Sequence, residues 1–459
     1  RRVVGQALGI GWGKVRVVKP YIGGGFGNKQ DVLSEPLCAW VCLQVGGRAV
    51  KLDTTREETF VSQRVRHAMQ IKVTSWLRPD GTFAARKYES YSDQGGYASH
   101  GHSIAAKAMN CFHELYQCPN VEGDTWTVYT NKPTSGAMRG YGIPQAMWAG
   151  EGHIDDICRQ FGFDPLDYRL KMIMADGHVN KFSGNENYFD SPRQTLLAGA
   201  EAFGFRQLHA ECEAQDPAAR IRRGAGVASF WYNTGVWPIA LESSASRMVV
   251  NEDGSVSLSL GETEIGQGGD TVFSQMTADA VGVPFSDVHV VSTQDTDMAP
   301  FGTGAYASRQ TYVAGFTIRQ TANLLREKIL AHAHELTNMP VAQLDLVGGR
   351  IVRTTDGREL MTLKELATEV LYSMKHSEHI AAESTYQIKT NAYSFGCSFA
   401  EVEVDVDLCQ ARVVRLLNVH DCGTLINPAL AEGQVHGGQS MSIGLALQEE
   451  LLFDPRNGK

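Results

Sequence analysis

The chain has 459 residues, 43% of them hydrophobic, and a formal net charge of -9. That length and apolar share allow a large core, divided between two or three domains, while the acidic balance argues against nucleic acid or an anionic membrane as the main partner. No apolar run is long enough to span a bilayer.

The sequence opens on Arg1-Arg2 with no methionine and leads into an expected strand; at the other end Asp454-Pro455-Arg456-Asn457-Gly458-Lys459 reads as the turn of an unfinished hairpin. Both ends read as those of a fragment, with any targeting signal out of view. A second short strand is expected at Val15 to Val18, and it feeds the glycine loop Tyr21 to Gln30. Asn28-Lys29-Gln30 is not the Gly-Lys-Ser/Thr of a Walker loop, and Gly23, Gly25 and Gly27 lack the dinucleotide spacing. Cys38 and Cys42, at helical spacing beside Leu37 and Val41, read as core residues. The nine cysteines include no Cys-x-x-Cys pair, which argues against zinc ribbons or iron–sulfur ligation here. Their odd number fits a reducing, cytoplasmic compartment better than a disulfide framework.

Three hairpins follow from period-two alternation and turn residues. Gln70 to Leu77 returns as Ala84 to Tyr91, Met248 to Val250 as Ser255 to Leu260, and Phe399 to Val406 as Arg412 to Val419. Each ends in a polar glycine segment, at Ser92 to Gly96, Glu264 to Gln267 and His420 to Gly423, so the three suggest a shared site. Between them lie helices at Gln145 to Phe161, at 165–172 behind an Asp164 cap, at Thr271 to Ala280, and at Ile318 to Leu336, the last with Leu324, Leu325, Ile329 and Leu330 on one face. Charged positions such as Asp156 and Glu335 read as solvated surface. Pro192, Pro217 and the charges at Arg220 to Arg223 mark a boundary within 190–223.

Ser135 to Gln145 places Arg139, a planar fork for oxyanions, and Tyr141, a stacking face, among glycines that allow close backbone approach. In Gly261 to Asp270, backbone N–H groups and the Gln267 amide are arranged to cradle an anion ahead of a helix.

Taken in order, Gly-Gly-Gly-Phe-Gly-Asn-Lys, Ala-Met-Arg-Gly-Tyr-Gly-Ile-Pro-Gln, Thr-Glu-Ile-Gly-Gln-Gly, Ala307-Ser308-Arg309-Gln310-Thr311, and Asn427-Pro428 with Glu432-Gly433-Gln434-Val435-His436-Gly437-Gly438 resemble the molybdopterin-binding subunit of the xanthine dehydrogenase and aldehyde oxidase family. The likeness runs from about Val15 to the end and is nearest to bacterial xanthine dehydrogenase molybdenum subunits. It implies an α+β fold, the mixed α/β multi-domain molybdenum-cofactor-binding fold of a molybdenum hydroxylase large subunit. Residues 1–190 would form a first molybdopterin-binding domain, incomplete at its N-terminus, and 191–459 a second, incomplete at its C-terminus.

The resemblance further implies a molybdenum–molybdopterin cofactor, as the plain pterin or in a dinucleotide form, that hydroxylates an electron-poor ring carbon while the electrons leave through the pterin. Phe26, Arg139 and Ala307 match positions around the molybdenum, with no side-chain metal ligand among them. Gly25, Gly27, Met138, Gly266, Gln267, Gly268, Tyr306, Ser308 and Gln434 match cofactor-binding positions. Gln30, Lys107, Arg139 and Tyr141 match substrate-binding positions, and a second stacking wall is expected between Phe230 and Trp237. Gln30 stands where animal xanthine enzymes carry a glutamate and Lys107 where they carry an arginine, so purine contacts would be altered. The family's general-base glutamate is expected beyond Lys459, an upstream glutamine before Arg1, and a [2Fe-2S] subunit and an FAD subunit as partners. An aldehyde oxidoreductase and a truncated, non-catalytic pterin-binding chain are the alternatives. A carbon monoxide dehydrogenase relative fits less well, because Ser135 to Tyr141 lacks the cysteine of that loop.

Overall fold

A computed structural model describes every residue except Asn180, Phe182, Ser183, Asn185, Pro238, Ile239, Thr293, Pro455, Gly458 and Lys459. All three expected hairpins form. Met69–Leu77 pairs antiparallel with Phe83–Gly95, which also pairs in parallel with Val121–Tyr129. Ser243–Val250 pairs with Val256–Leu260 in a sheet completed by Ala381–Gln387 and Val288–Val290. Ala392–Asp405 and Gln410–Asp421 form the third, with Ile221–Thr234 on the other side of the long central strand. Gly81 and Gly254 take the left-handed backbone their turns require, with φ of 81° and 83°.

Two large cores hold these sheets. One joins Phe83, Cys111, Ile154 and Tyr168 to Phe203, Phe205, Trp231 and Phe399, so it draws on residues from both sides of Asp190. Its polar centre is Glu151, which accepts from Tyr116 Oη (2.6 Å), Arg169 Nε (2.8 Å) and the Ser229 backbone N–H (2.8 Å). The other packs the helices Gly269–Val281, Gln310–Thr337 and Leu363–Leu371 with Met248, Val256, Leu258 and Leu260. Helix 310–337 buries Val313, Ile318, Leu325, Ile329 and Ala333; Leu324 lies outside that stripe and is 38% exposed, a correction to the face read from the sequence.

Asp164 caps its helix as expected, its Oδ1 accepting from the Leu166 and Asp167 N–H groups at 2.9 and 2.8 Å. Other local expectations fail. Arg2–Leu8 is a helix rather than a strand: Gly9, at φ 66°, closes it in the left-handed conformation. Val15 to Val18 makes no strand, only an isolated bridge from Val18 to Asp295, because Arg16 is drawn to the Asp295 carboxylate. Cys38 and Cys42 do sit on a helix, Glu35–Gln44, but no residue of that helix is buried; their thiols reach the Val50 and Arg48 carbonyls at the rim. The unfinished hairpin at 454–459 falls partly outside the described residues. Among those described, no helix is long and apolar enough to cross a membrane.

Candidate functional site

The three hairpins converge as their glycine segments suggested, two directly and one through a helix. Gln94, at the end of the first, accepts the Ser135 N–H at its backbone carbonyl (2.9 Å) and donates from its side chain to the Ser135 carbonyl (2.7 Å), so the sheet holds the 135–141 loop. The second leads into 261–268, whose Ile265 carbonyl accepts the Gly24 N–H at 2.7 Å. The third leads to helix Pro428–Leu447, which brings Gln434 to Arg139: Arg139 Nη2 donates to the Gln434 carbonyl at 2.7 Å and to its side-chain Oε1 at 3.2 Å.

Phe26 and Arg139 are bonded to each other, while Ala307 is held by a different segment. The Arg139 N–H donates to the Phe26 carbonyl at 2.7 Å, and Arg66 Nη2 donates to the Arg139 carbonyl at 2.8 Å. Gly27 has to be glycine, since its φ is 103° and a Cβ would lie 2.8 Å from the Ala137 carbonyl oxygen. On the far side the Gly235 N–H donates to the Ala307 carbonyl at 2.9 Å. Backbone strain is concentrated here. Of the six described non-glycine residues with positive φ, four are Phe26, Tyr141, Ala307 and Ser308, at 50–53°, and such residues persist only where their surroundings over-determine them.

The supports of the Ala307 loop were not legible in the sequence. Arg309 is fully buried, with Nε bonded to Glu242 (2.5 Å) and Nη1 to Glu262 (2.8 Å), while Nη2 donates to the Ser243 carbonyl (2.9 Å). Glu242 also accepts the Val236 N–H at 2.5 Å, which ties the segment after the 221–234 strand to the same knot. The anion cradle expected at Gly261 to Asp270 is filled by the protein itself. Glu264 accepts the N–H groups of Gly266 (2.5 Å), Gly268 (3.2 Å) and Asp270 (3.0 Å) at the helix N-terminus. Burial opposes ionisation of Glu264, yet these donors together with the Gly269 N–H hold its carboxyl below the usual range. Gln267 is likewise turned inward: its amide donates to Thr263 O (3.1 Å) and Gln310 Oε1 (2.6 Å) and accepts from the Ile265 N–H (2.7 Å).

A second cluster lies beside the strained loops. Tyr141 Oη is 2.9 Å from His100 Nδ1, and His100 Nε2 is 3.2 Å from Asp31 Oδ1. Burial pushes the Tyr141 hydroxyl up to about 12. Asp31 directly follows Gln30, so the first glycine loop reaches this cluster. Lys107, two turns into helix Gly101–Glu114, donates to the Asn233 carbonyl at 2.9 Å and lies 4.8 Å from the Tyr232 ring centroid. Burial draws its ammonium pKa down, opposed by Cys111 and Glu242. Tyr232 hydrogen-bonds to Ser308, so of the segment Phe230 to Trp237 it is Tyr232 that faces both Lys107 and the strained loop. Asp31, His100 and Tyr232 belong to no glycine motif; the signal for Asp31 was its place beside Gln30, and for Tyr232 its place in the expected second wall.

Known proteins resemble this chain in sequence and fold. A model of the molybdopterin cofactor-binding domain matches residues 1–173, and a second model of the same description matches residues 198–459. The chain belongs to the molybdopterin cofactor-binding family. It is similar to the xanthine dehydrogenase molybdenum-binding subunit of Escherichia coli O157:H7, with 46% identity over 459 residues, all of this chain and 61% of the relative. It is 28% identical to the carbon monoxide dehydrogenase large chain of Afipia carboxidovorans, covering 99% of this chain and 58% of that one. Among solved structures, quinoline 2-oxidoreductase from Pseudomonas putida 86 superposes with a TM-score of 0.90 at 27% identity, over 100% of this chain and 60% of that one. The chain therefore spans about three fifths of the length of these relatives.

A molybdopterin cofactor suits the residues present. Asn28 Oδ1, Arg66 Nη1 and Asn233 Oδ1, all in or beside the converging segments, are buried without a hydrogen-bond partner, as expected of groups that a polar ligand completes. Among the described residues no three His, Cys, Asp or Glu side chains are grouped to hold a metal ion.

Proposed function

We propose that this chain is the cofactor-binding portion of a molybdenum hydroxylase that oxidises a purine or similar N-heterocycle, working in the cytoplasm with an iron–sulfur subunit and an FAD subunit. The observation that carries the reading is the bond from the Arg139 N–H to the Phe26 carbonyl, with left-handed backbone at Phe26, Tyr141, Ala307 and Ser308 and with Tyr232 bonded to Ser308 and facing Lys107. When bound, the cofactor supplies the oxidation and the oxygen transfer. The residues of this chain hold and orient: Phe26, Arg139 and Ala307 would surround the molybdenum, Gly266 to Gly268 and Gln434 would border the pterin, and Tyr141 would form a wall for a flat ring. Lys107 and Gln30 contact ring heteroatoms, with Lys107 set to offset negative charge that grows on the ring.

The general base lies outside this sequence in this reading. In support, the glutamates that anchor these loops are already engaged, Glu242 and Glu262 by Arg309 and Glu264 by backbone N–H groups. The nine free cysteines accord with a reducing compartment. Residues 1–190 and 191–459 are proposed as two cofactor-binding domains that share one core. The deciding assay compares hydroxylation of hypoxanthine, nicotinate and an aromatic aldehyde by the complete enzyme; hypoxanthine is expected to give the highest kcat/KM, and preference for the aldehyde would overturn the purine assignment.

A further inference from the structure

Asp31, His100 and Tyr141 form a chain of three side chains, of which only Tyr141 lies in a glycine motif. Asp31 is the fixed end. Its Oδ2 accepts from Arg64 Nε (2.6 Å) and Ser99 Oγ (2.7 Å), while Oδ1 faces His100 Nε2 at 3.2 Å. The bond from His100, with those from Ser99 and Arg64, outweighs burial and holds the Asp31 carboxyl well below its usual range, so it is a permanent acceptor. The carboxylate accepts the N–H that His100 carries at Nε2 and leaves Nδ1 to pair with a second group. At that nitrogen lies Tyr141 Oη, 2.9 Å away, with the two rings edge to face at 76° and centroids 5.9 Å apart. Ser103 adds a second bond to the same hydroxyl.

Tyr141 needs such a restraint. Its φ of 53° is one that aromatic residues rarely adopt, and Gly140 and Gly142 on either side are also left-handed, at 94° and 92°, so the backbone of this turn offers little to fix the ring plane. The ring is tethered at its far end instead. The four residues behind this tether come from three separate segments: Arg64 precedes the first hairpin, Ser99 and His100 lead into helix 101–114, and Asp31 continues the glycine loop that carries Phe26.

We infer that His100, oriented by Asp31, is a positioning residue that locks the plane of Tyr141 as the wall against which a flat substrate stacks. The inference rests on the proposed reading of Tyr141 as that wall. A plane fixed before binding spares the substrate the cost of ordering the ring, so the tether acts chiefly on binding and little on the chemical step.

The test is a double-mutant cycle of His100→Ala and Tyr141→Phe in the complete enzyme, read in two ways. Calorimetry gives Kd for 2,6,8-trioxopurine, a flat heterocycle with no oxidisable carbon left, and steady-state kinetics with hypoxanthine gives KM and kcat. The expected result is that either single variant raises Kd and KM by about tenfold with kcat within about twofold, and that the double variant is no worse than the singles, because the His100 effect passes through the Tyr141 hydroxyl. Asp31→Ala should behave as His100→Ala does. Additive losses, a loss confined to kcat, or an unchanged Kd would overturn the inference. Where the wild type neither binds the trioxopurine nor turns over hypoxanthine, the heterocycle reading fails instead, and the same cycle read on the KM for benzaldehyde decides the role of His100 by the same criteria.

Discussion

Arg309 shows how much of this site depends on one side chain. Its guanidinium is the sole described counter-charge bonded to both Glu242 and Glu262, three groups at 2% exposure or less, and through Glu242 it reaches Val236, next to the Gly235 whose N–H donates to the Ala307 carbonyl. Removing one member of such a buried set leaves carboxylates unpaired, at a cost of about 3–5 kcal/mol. Arg309→Met is expected to lower the thermal midpoint of the holoenzyme and to reduce its molybdenum content; a variant with wild-type stability and full metal would show that the knot is dispensable. The sequence pointed to Ala307 and Ser308 through a motif but said nothing of these glutamates. Positions 242 and 262 meet 309 only after two strands and a helix have packed, and a glutamate ahead of a glycine loop reads as solvated surface until its partner is known.

At the scale of elements, the hairpins and capped helices were legible because their signals are local. Alternation with an Asp-Gly turn needs no distant partner, and neither does Asp164, whose Oδ1 accepts two N–H groups within its own first turn. Asp164→Ala should cost about 1 kcal/mol, visible as a lower urea midpoint with little change in slope; an unchanged midpoint would mean that the helix is held by its packing alone. Val15 to Val18 and Cys38 to Cys42 failed for the converse reason. Apolar or β-branched residues report a preference, but whether a segment pairs or is buried depends on what lies against it, and here Asp295 captures Arg16 while the helix at 35–44 stays at the surface.

For the whole molecule, the clearest global consequence of folding is a pair of buried histidines. His67, bonded to Ser92 Oγ at 2.9 Å, is pushed down to about 4 by burial, and His113 to about 3. An unfolded chain takes up protons at these positions near pH 6.5, whereas the folded chain accepts them only near pH 4 and 3. Folding stability therefore falls as pH drops from about 6.5 toward 4 and is insensitive to these groups above about 7. Below pH 4 the loss continues, because carboxyls held low by their partners, Asp31 and Glu264 among them, must also take up protons. Thermal midpoints measured from pH 7.5 to 4.5 should decline, and replacing His67 with Asn should flatten the upper part of that decline; a midpoint flat to pH 4.5 would contradict the buried, neutral histidines.

By itself the sequence determined the mixed α+β character, the three hairpins, and the glycine, arginine and alanine motifs whose order marks a molybdopterin-binding chain, because each rests on neighbours within a few residues. Tertiary structure alone decided that Glu264 rather than a ligand fills the helix N-terminus at 269, that Arg309 pins the Ala307 loop from within, and that His100 and Asp31 restrain Tyr141. These are contacts between charged or polar side chains far apart in the chain. Their energies depend on burial and distance, and neither exists until the cores have closed.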